Sequence, residues 1–246
     1  MTAEDSAPPT LTKSGFSAYE GRVPAGMKTF YAVGASAETI IGVAFNAFNF
    51  FFYTNLLGLS GTLAGLAITI GLFVDAITDP LVGALSDQWL SKKLGRRHPF
   101  MFAAPIPVMA CLFLIYSPPE SFGDWGLFFW LTGLVVTMRA SMTMFHVPHL
   151  AMGAELSSDF TERTRVMAIN TLFGALTGAA TYFIALSVFF TPTPEFENGL
   201  LDRSSYPSFA VTASLIGGLI MLFSTIFTMK LIPYLSQPAS DRNPFT

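Results

Sequence analysis

Charged residues are scarce in this sequence. Only 12% of its 246 residues are Asp, Glu, Lys or Arg, and 52% are hydrophobic, whereas an ordinary soluble domain carries about 25% charged residues. A soluble globule of this size needs more charge to cover its surface, so the composition excludes that class. The formal net charge is -3 and no run of Lys or Arg is longer than two, which argues against nucleic acid as a partner.

Cysteine and histidine are also scarce. Cys111 is the single cysteine, so the chain forms no intrachain disulfide. The three histidines are His98, His146 and His149, and a closed or catalytic metal site needs more ligands than the last two supply. The sequence also offers no nucleophile with a matching base. We therefore expect no metal site, no cofactor and no enzyme activity.

Long stretches without charge run through the chain. Residues 39–74, 99–119, 140–154, 166–194 and 204–229 contain no Asp, Glu, Lys or Arg, and several exceed the roughly 20 residues that cross a bilayer as a helix. We therefore predict an all-α membrane protein with six transmembrane helices. They are expected at about 28–57, 61–87, 99–117, 125–153, 164–190 and 208–232.

The distribution of positive charge predicts the orientation. Eleven of the thirteen Lys and Arg residues fall in the two tails, in the loops after the second and fourth helices, or in the helix ends beside them, and the side that carries them is normally the cytoplasm. Both termini are therefore predicted to be cytoplasmic, which an even number of spans satisfies. We expect residues 1–27 to form a disordered cytoplasmic tail and residues 233–246 to form a second tail or the start of a central loop. The plasma membrane is the expected location.

Several ionisable residues fall at membrane depth, where their cost makes each one a functional hypothesis. They are Glu38, Asp75, Asp79, Arg139, His146 and His149. Asp75 and Asp79 are spaced i, i+4, so on a helix both carboxylates project from one face. Two such anions repel unless a cation lies between them or one is protonated, and oxygen ligands suit a hard cation. We predict a Na⁺ or H⁺ site; the alternative is a static salt bridge to Arg139 with a structural turn at Asp79-Pro80.

Polar residues align on several of the predicted helices when each is projected at about 100° per residue. The stripes are Glu38, Gly42, Asn46, Asn49 and Tyr53 on the first helix, Arg139, Thr143 and His146 on the fourth, and Asn170, Gly174, Thr177 and Thr181 on the fifth. Interhelical hydrogen bonding is the alternative explanation for any single member. Their alignment predicts a shared polar cavity. The expected solute contacts are Glu38, Asn46, Asn49 and Tyr53, with Arg139, His146, Asn170 and Thr177 opposite.

An ordered set of motifs resembles one family. The motifs are Tyr31-x-x-Gly34, Phe52-Tyr53-Thr54-Asn55-x-x-Gly58-Leu59, Asp75-Ala76-x-x-Asp79-Pro80-x-x-Gly83, Gly83-x-x-x-Asp87 with Leu94-Gly95-Arg96-Arg97-His98-Pro99-Phe100, and Glu155-Leu156-x-x-Asp159-Phe160-x-Glu162-Arg163-Thr164-Arg165. Together they resemble the glycoside-pentoside-hexuronide:cation symporters of the major facilitator superfamily. The resemblance covers the chain from about residue 28 onward.

The resemblance implies roles for some of these residues. Asp75 and Asp79 match the family's cation-binding carboxylates, Thr143 matches a hydroxyl ligand from the fourth helix, and Thr78 stands where a helix-two amide occurs. The sugar site matches poorly. Thr39 and His146 replace two sugar-binding aspartates of the family's galactoside carrier, Leu150 replaces a stacking tryptophan, and Thr171 replaces an arginine.

The loop motifs predict a cytoplasmic gate. Arg96 and Arg97 are expected to pair with acidic residues such as Glu155, Asp159 or Glu162, while Asp87 accepts hydrogen bonds at a helix end. The complete expected set is Gly83, Asp87, Gly95, Arg96, Arg97, Glu155, Asp159, Glu162 and Arg163.

These observations predict the N-terminal half of a cation-coupled symporter for a sugar-like or glycoside-like solute. The resemblance implies twelve helices in two halves, so we expect this chain to be one half of a longer protein or to pair with a second six-helix half within membrane lipid. A lysolipid or another organic solute is the alternative substrate. A non-transporting membrane scaffold is the alternative from another functional class.

Overall fold

The structure, a computed structural model, describes residues 22–89, 91 and 94–235, apart from the side chains of residues 233 and 234. Most of both predicted tails lies outside these residues. So do Lys92, Lys93 and Arg242, which contribute to the predicted orientation.

Six helices of the described chain are long and apolar enough to cross a membrane, judged by length and composition. They are α1 (Ala25–Leu56), α2 (Gly61–Gln88), α3 (His98–Ile115), α4 (Asp124–Glu155), α5 (Phe160–Phe189) and α6 (Ser205–Ile232). The prediction of an all-α membrane protein with six transmembrane helices is confirmed.

Three helices begin three or four residues earlier than predicted, at Ala25, Phe160 and Ser205 instead of residues 28, 164 and 208. Helix α1 starts at Ala25, so residues 25–27 belong to the helix and not to the predicted tail, and the Val23 amide donates a 3.0 Å hydrogen bond to Glu162 Oε1. Helix α5 starts at Phe160, because Asp159 Oδ1 accepts the Glu162 amide at 2.7 Å and satisfies a free N–H of the first turn. The charged residues Glu162 and Arg163 therefore concealed the first turn of α5.

Helix α1 is not regular. Its α-helical part ends at Asn46, a turn occupies Ala47 and Phe48, and the chain continues as Asn49–Phe51 followed by a π-helical turn at Phe52–Leu56. A π-helical turn adds residues to each turn. The break at Ala47 and Phe48 shifts Asn49, and the π-helical turn shifts Tyr53, from the face that a regular helix would give them.

Two loop positions require glycine because their backbone φ angles are positive. Gly58 has φ +73° between α1 and α2, and Gly95 has φ +63° before α3. Glycine adopts this left-handed conformation at little cost because it has no Cβ. Ser60 then caps α2 by accepting the Leu63 amide at 3.3 Å.

The bundle is organised around two central helices. Helix α1 packs mainly against α5 and α6, helix α4 packs mainly against α2 and α3, and α3 also packs against α6. An aromatic core near the α1–α2 loop contains Phe52, whose ring centroid lies 5.2 Å from that of Tyr116 and 4.7 Å from that of Tyr206. This packing leaves a polar gap where α1 faces α2 and α4.

Helices α2 and α5 are the least buried of the six. In the most apolar 18-residue stretch of each helix, only 17% of the residues of α2 and 6% of those of α5 are buried, compared with 50% in α1 and in α6. Helix α2 exposes Leu72, Phe73, Ile77, Leu81 and Leu85. These two helices therefore present apolar faces outside the six-helix unit.

Candidate cation and solute site

A cavity of about 270 Å³ lies between α1, α2 and α4. It is lined by Ile41, Gly42, Phe45, Asn46, Asp75, Asp79, Met138, Arg139, Met142, Thr143 and His146. It therefore brings together the acidic pair of α2, the predicted polar face of α4 and part of the α1 stripe. The two carboxylates face protein and cavity, not the outer surface of the bundle.

Asp75 is paired with Arg139 from α4. Arg139 Nη1 contacts Asp75 Oδ2, and both side chains are partly buried. The guanidinium also lies 5.7 Å from the centroid of the Phe45 ring, within cation–π range. The salt bridge of the alternative interpretation is thus present, so a fixed cation already balances one carboxylate of the pair.

Gly71 makes room for this ion pair, and the sequence analysis did not single it out. A Cβ at Gly71 would lie 2.8 Å from Arg139 Cδ and 2.5 Å from Val135 Cγ1. Gly71 precedes Asp75 by four residues on α2, so it occupies the same face one turn away. That spacing is the signal that identifies it.

Asp79 has a different environment, made of hydroxyl groups. Thr143 Oγ1 donates a 2.8 Å hydrogen bond to Asp79 Oδ1, and Thr78 Oγ1 lies 3.3 Å from Thr143 Oγ1 while donating to the Val74 carbonyl at 3.0 Å. Because the single proton of Thr143 goes to the carboxylate, lone pairs of its oxygen remain free to ligate a cation. Asp79 has no fixed positive partner comparable to Arg139 among the contacts of the described chain.

Glu38 and His146 connect α1 to α4 at the edge of the cavity. His146 Nδ1 lies 2.7 Å from Glu38 Oε2, and His146 lines the cavity with 48% of its side chain exposed. His149, which was not among the predicted solute contacts, lies 3.4 Å from Glu38 Oε1. Its ring fits because position 34 is glycine: a Cβ there would overlap the imidazole. Tyr31-x-x-Gly34 is thus the sequence signal for this contact.

Two predicted solute contacts on α1 are placed elsewhere by the irregular end of the helix. Tyr53 is fully buried, and its hydroxyl donates a 2.9 Å hydrogen bond to the Ile115 carbonyl. Asn49 is 1% exposed and also lies outside the cavity lining. The prediction that both face the cavity is corrected here, because the projection assumed a regular helix beyond Asn46.

The predicted residues of α5 do not line the cavity either. Thr177 donates a 2.8 Å hydrogen bond to Ser36 Oγ on α1, which is the interhelical role of the alternative explanation. Thr171 is exposed. Asn170 is half-buried, and its buried Oδ1 has no hydrogen-bond partner within the part of the chain that the structure describes. Thr39 lines a separate open groove and donates to the Ala35 carbonyl at 2.8 Å.

The predicted gate is built around Glu155 at the end of α4. Glu155 Oε1 lies 2.6 Å from an Nη2 atom of both Arg96 and Arg97, and Arg97 Nη2 lies 3.2 Å from Asp87 Oδ1 at the end of α2. Arg97 is 3% exposed, so this is a largely buried pair, whereas 54% of the Asp87 side chain is exposed. The cluster ties α2, α3 and α4 together at the side predicted to be cytoplasmic.

The remaining gate residues have other roles. Asp159 caps α5, and Glu162 is buried in contact with Lys28 and 3.4 Å from Arg165. Neither forms the expected pair with Arg96 or Arg97 among the contacts described. The other three predicted positions are Gly83, where a Cβ would touch Val147 of α4 at 3.6 Å, Gly95 in its left-handed turn, and the half-buried Arg163.

Comparison with known proteins agrees with this architecture. Residues 30–244 match the family model described as MFS/sugar transport protein. An uncharacterised symporter from Synechocystis sp. is 31% identical over 59% of this chain and 28% of its own length. The sodium-dependent lysophosphatidylcholine symporter 1-A of Danio rerio is 29% identical over 62% of this chain and 29% of its own length. The putative glycoside/cation symporter YagG of Escherichia coli K12 is 29% identical over 65% of this chain and 34% of its own length.

The chain thus spans about a third of the length of the curated relatives that it matches. The family match covers most of the 246 residues, and the helices, the acidic pair of α2 and the loop motifs agree with it. This chain therefore belongs to the MFS/sugar transport family, as a member of its glycoside-pentoside-hexuronide:cation symporter group.

Proposed function

We propose that this chain forms the N-terminal half of a secondary transporter that couples Na⁺ or H⁺ to the uptake of a small organic solute. The observation that carries the proposal is the placement of Asp75, Asp79, Thr143 and Arg139 around one cavity inside the bundle. Intramembrane charges that face a shared cavity typically mark ion and substrate pathways. The plasma membrane and cytoplasmic termini belong to the same proposal, on the basis of the Lys and Arg distribution.

The coupling cation is proposed to bind at Asp79. Asp75 and Asp79 together carry two negative charges, and Arg139 balances only one of them. Asp79 supplies the second charge, and Thr143 and Thr78 supply neutral oxygens beside it. A Na⁺ ion, or a proton on Asp79, would leave the group neutral, which lowers the cost of holding it within the membrane.

A sugar-like or glycoside-like solute is the proposed substrate. Asn46 and His146 offer hydrogen bonds into the cavity, and Phe45 offers an aromatic wall, which together suit the polar edges and apolar faces of a neutral sugar ring. Arg139 is already engaged by Asp75, so a neutral solute would not have to compete for the guanidinium. The relative named as a putative glycoside/cation symporter supports this assignment.

A lysolipid is the second candidate. Ile41, Met138 and Met142 give the same cavity an apolar wall, and flexible methionine side chains adapt to irregular apolar ligands. The zebrafish relative named as a lysophosphatidylcholine symporter supports this alternative. An anionic headgroup would then take Arg139 from Asp75.

A second six-helix half is the proposed partner. Alternating access requires two bundles that rock around a site between them, and α2 and α5 present the least buried apolar faces of this one. The Arg96, Arg97 and Glu155 cluster would hold the cytoplasmic side closed until the bundles rock, and breaking it would favour the inward-open state.

Cation binding to the purified chain in lipid nanodiscs tests the first step. We expect Na⁺ or H⁺ to raise its unfolding temperature, and we expect Asp79→Asn and Asp75→Asn to abolish that rise while the exposed-loop variant Glu197→Gln retains it. In the complete transporter, Asp75→Asn is expected to abolish cation-dependent accumulation. Unchanged Na⁺ or H⁺ coupling in that variant would remove the cation assignment.

Competition then separates the substrate classes. Accumulation by the complete transporter should be inhibited by glycosides if the solute is sugar-like, and by lysophosphatidylcholine if it is an amphiphile. Inhibition by neither class would contradict both candidates. A scaffold would show no solute-induced stabilisation and would tolerate neutral residues at both aspartates.

A further inference from the structure

One carboxyl group and two imidazoles form a separate cluster between α1 and α4. Glu38 Oε2 lies 2.7 Å from His146 Nδ1, and Glu38 Oε1 lies 3.4 Å from His149 Nδ1. Oε1 is buried and has no hydrogen-bond partner among the described residues. The cation site proposed at Asp79 makes no use of Glu38 or His149, so the presence of these groups at membrane depth needs a separate explanation.

The position of the His149 ring determines where one proton must be. Nε2 lies 2.9 Å from the backbone carbonyl oxygen of Tyr31. A carbonyl oxygen only accepts hydrogen bonds, so Nε2 must carry a proton and donate it. The ring stacks on Tyr31 with centroids 4.4 Å apart and is only 3% exposed. His149 therefore cannot turn its other nitrogen, Nδ1, away from Glu38.

The proton count follows from these contacts. A proton at each of three places would keep every nitrogen lone pair from facing an oxygen: on His149 Nε2, in the 3.4 Å gap between His149 Nδ1 and Glu38 Oε1, and between His146 Nδ1 and Glu38 Oε2. An ionised Glu38 with two neutral imidazoles supplies only two protons. With two protons, a lone pair of one ring would face a buried carboxylate oxygen, which is repulsive in a medium of low polarity. A third proton removes the repulsion and makes the cluster neutral.

We propose that Glu38, His146 and His149 form a proton-binding site, distinct from the Asp75 and Asp79 pair, that exchanges its proton with the solute cavity through His146. His146 is the member that both contacts Glu38 and lines the cavity, with 48% of its side chain exposed. Glu38 and His149 hold the proton in the protein interior. The role in solute coupling rests on the proposed function, whereas proton binding by the cluster does not.

The surroundings of the cluster favour an additional positive charge. From α2, Asp75 and Asp79 line the same cavity as His146. On α4, Arg139 is already paired with Asp75. On α1, Tyr31 stacks on His149 and directs its hydroxyl towards Met167 at 3.9 Å. The described charged residues of α5 and α6 are confined to 162–165 and 230, near helix ends.

Spectroscopy on the chain in nanodiscs tests proton binding directly. The chain has three histidines, so ¹⁵N-histidine labelling gives three rings, with His98 as an internal reference. At pH 7 we expect the third proton to appear either as a doubly protonated His149 ring or as an infrared band of a protonated Glu38 carboxyl. Either signal should be lost in Glu38→Gln and kept in the exposed-loop control Glu197→Gln. A neutral His149 ring together with no infrared carboxyl band sensitive to Glu38→Gln would overturn the proposal.

The exchange path has its own test, which also serves if Glu38→Gln does not fold. His146→Gln replaces a half-exposed ring and is expected to keep the buried proton while slowing its exchange with deuterated solvent at least about tenfold. An unchanged exchange rate would overturn the assignment of His146 as the route.

The cation site and the proton site can fail independently. Asp79→Asn is expected to abolish Na⁺ binding and to leave the third proton in place. If the wild-type chain shows the third proton but does not bind Na⁺, only the Asp79 site is contradicted. Absence of the proton with Na⁺ binding intact would contradict only the Glu38 cluster.

Discussion

Thr143 on α4 donates a 2.8 Å hydrogen bond to Asp79 on α2, across the cavity that also contains Asp75 and Arg139. The contact orients the carboxylate and leaves oxygen lone pairs of Thr143 available. The two predicted aspartates therefore differ in their partners: Asp75 is bound to a guanidinium and Asp79 to a hydroxyl.

Replacing Thr143 tests whether its hydroxyl contributes to cation binding. We expect Thr143→Val to weaken cation binding at least about tenfold, because a lost hydrogen bond to a charged group is worth about 1.5 to 3 kcal/mol. Thr143→Ser should restore most of the affinity. Calorimetric titration with Na⁺ measures the effect. Thr137→Val on the same helix is the matched control, because the Thr137 hydroxyl donates its hydrogen bond to the Gly133 carbonyl. An equal loss of cation affinity in both variants would mean that the Thr143 hydroxyl has no specific role in binding.

Removing the hydroxyl of Tyr53 tests whether this residue stabilises the fold without contacting the solute. We expect Tyr53→Phe to lower the free energy of unfolding by about 1 to 3 kcal/mol, because the buried Ile115 carbonyl loses its partner. Solute and cation affinities should stay unchanged, since Tyr53 lies outside the cavity lining. Chemical denaturation and binding measurements on one sample check both. A large loss of solute affinity at full folding would reinstate Tyr53 as a solute contact.

Neutralising the acids of the gate should have unequal effects. Glu155→Gln leaves Arg97 buried beside Arg96, so we expect it to destabilise the closed arrangement by about 3 kcal/mol or more. Asp87→Asn should cost less than about 1 kcal/mol, because that side chain is half exposed. Thermal unfolding of the chain gives the order. Accessibility of introduced cysteines in the complete transporter should shift towards the inward-open state in Glu155→Gln; an order reversed between the two variants would contradict the assignment of Glu155 as the centre of the gate.

Two glycines of α4 allow a matched test of close packing. A Cβ at Gly153 would overlap the Tyr31 ring and lie 2.8 Å from Met167 Cε, whereas a Cβ at Gly133 would have no described atom within 4 Å. We expect Gly153→Ala to destabilise the chain by about 1 to 3 kcal/mol. Gly133→Ala should be neutral or slightly stabilising, because alanine has the higher helix propensity. The unfolding temperatures of the two variants measure the difference. Equal values would contradict the prediction, because they would mean that the Tyr31 and Met167 side chains move aside without loss of stability.

The helices and the acidic pair could be predicted from local sequence because their signals are local. Uncharged length marks a span, and an i, i+4 spacing places Asp75 and Asp79 on one face without knowledge of any neighbour. The alternative interpretation placed Arg139 in a salt bridge with the acidic pair, and the structure shows that the partner is Asp75. The choice between Asp75 and Asp79 depends on the register between helices, which a single sequence does not contain.

The rest of the site depended on tertiary contacts. The stripe on α1 holds to Asn46 and fails at Asn49 and Tyr53, because the helix changes its winding between them. His149 is among the residues expected at membrane depth, but its contact with Glu38 depends on the missing side chain at Gly34, on another helix, and could not be predicted.

Helix α1 packs mainly with α5 and α6, while α4 packs mainly with α2 and α3, and direct backbone contact between α1 and α4 is sparse. The Glu38 contact with His146 therefore acts as a polar latch between two groups of helices. A solute that hydrogen-bonds to His146 Nδ1 would compete with Glu38 for that nitrogen, whereas a solute bound to Nε2 would leave the contact in place. Binding of a solute at Nδ1 and separation of α1 from α4 would then be linked thermodynamically, so such a ligand would make the bundle easier to deform.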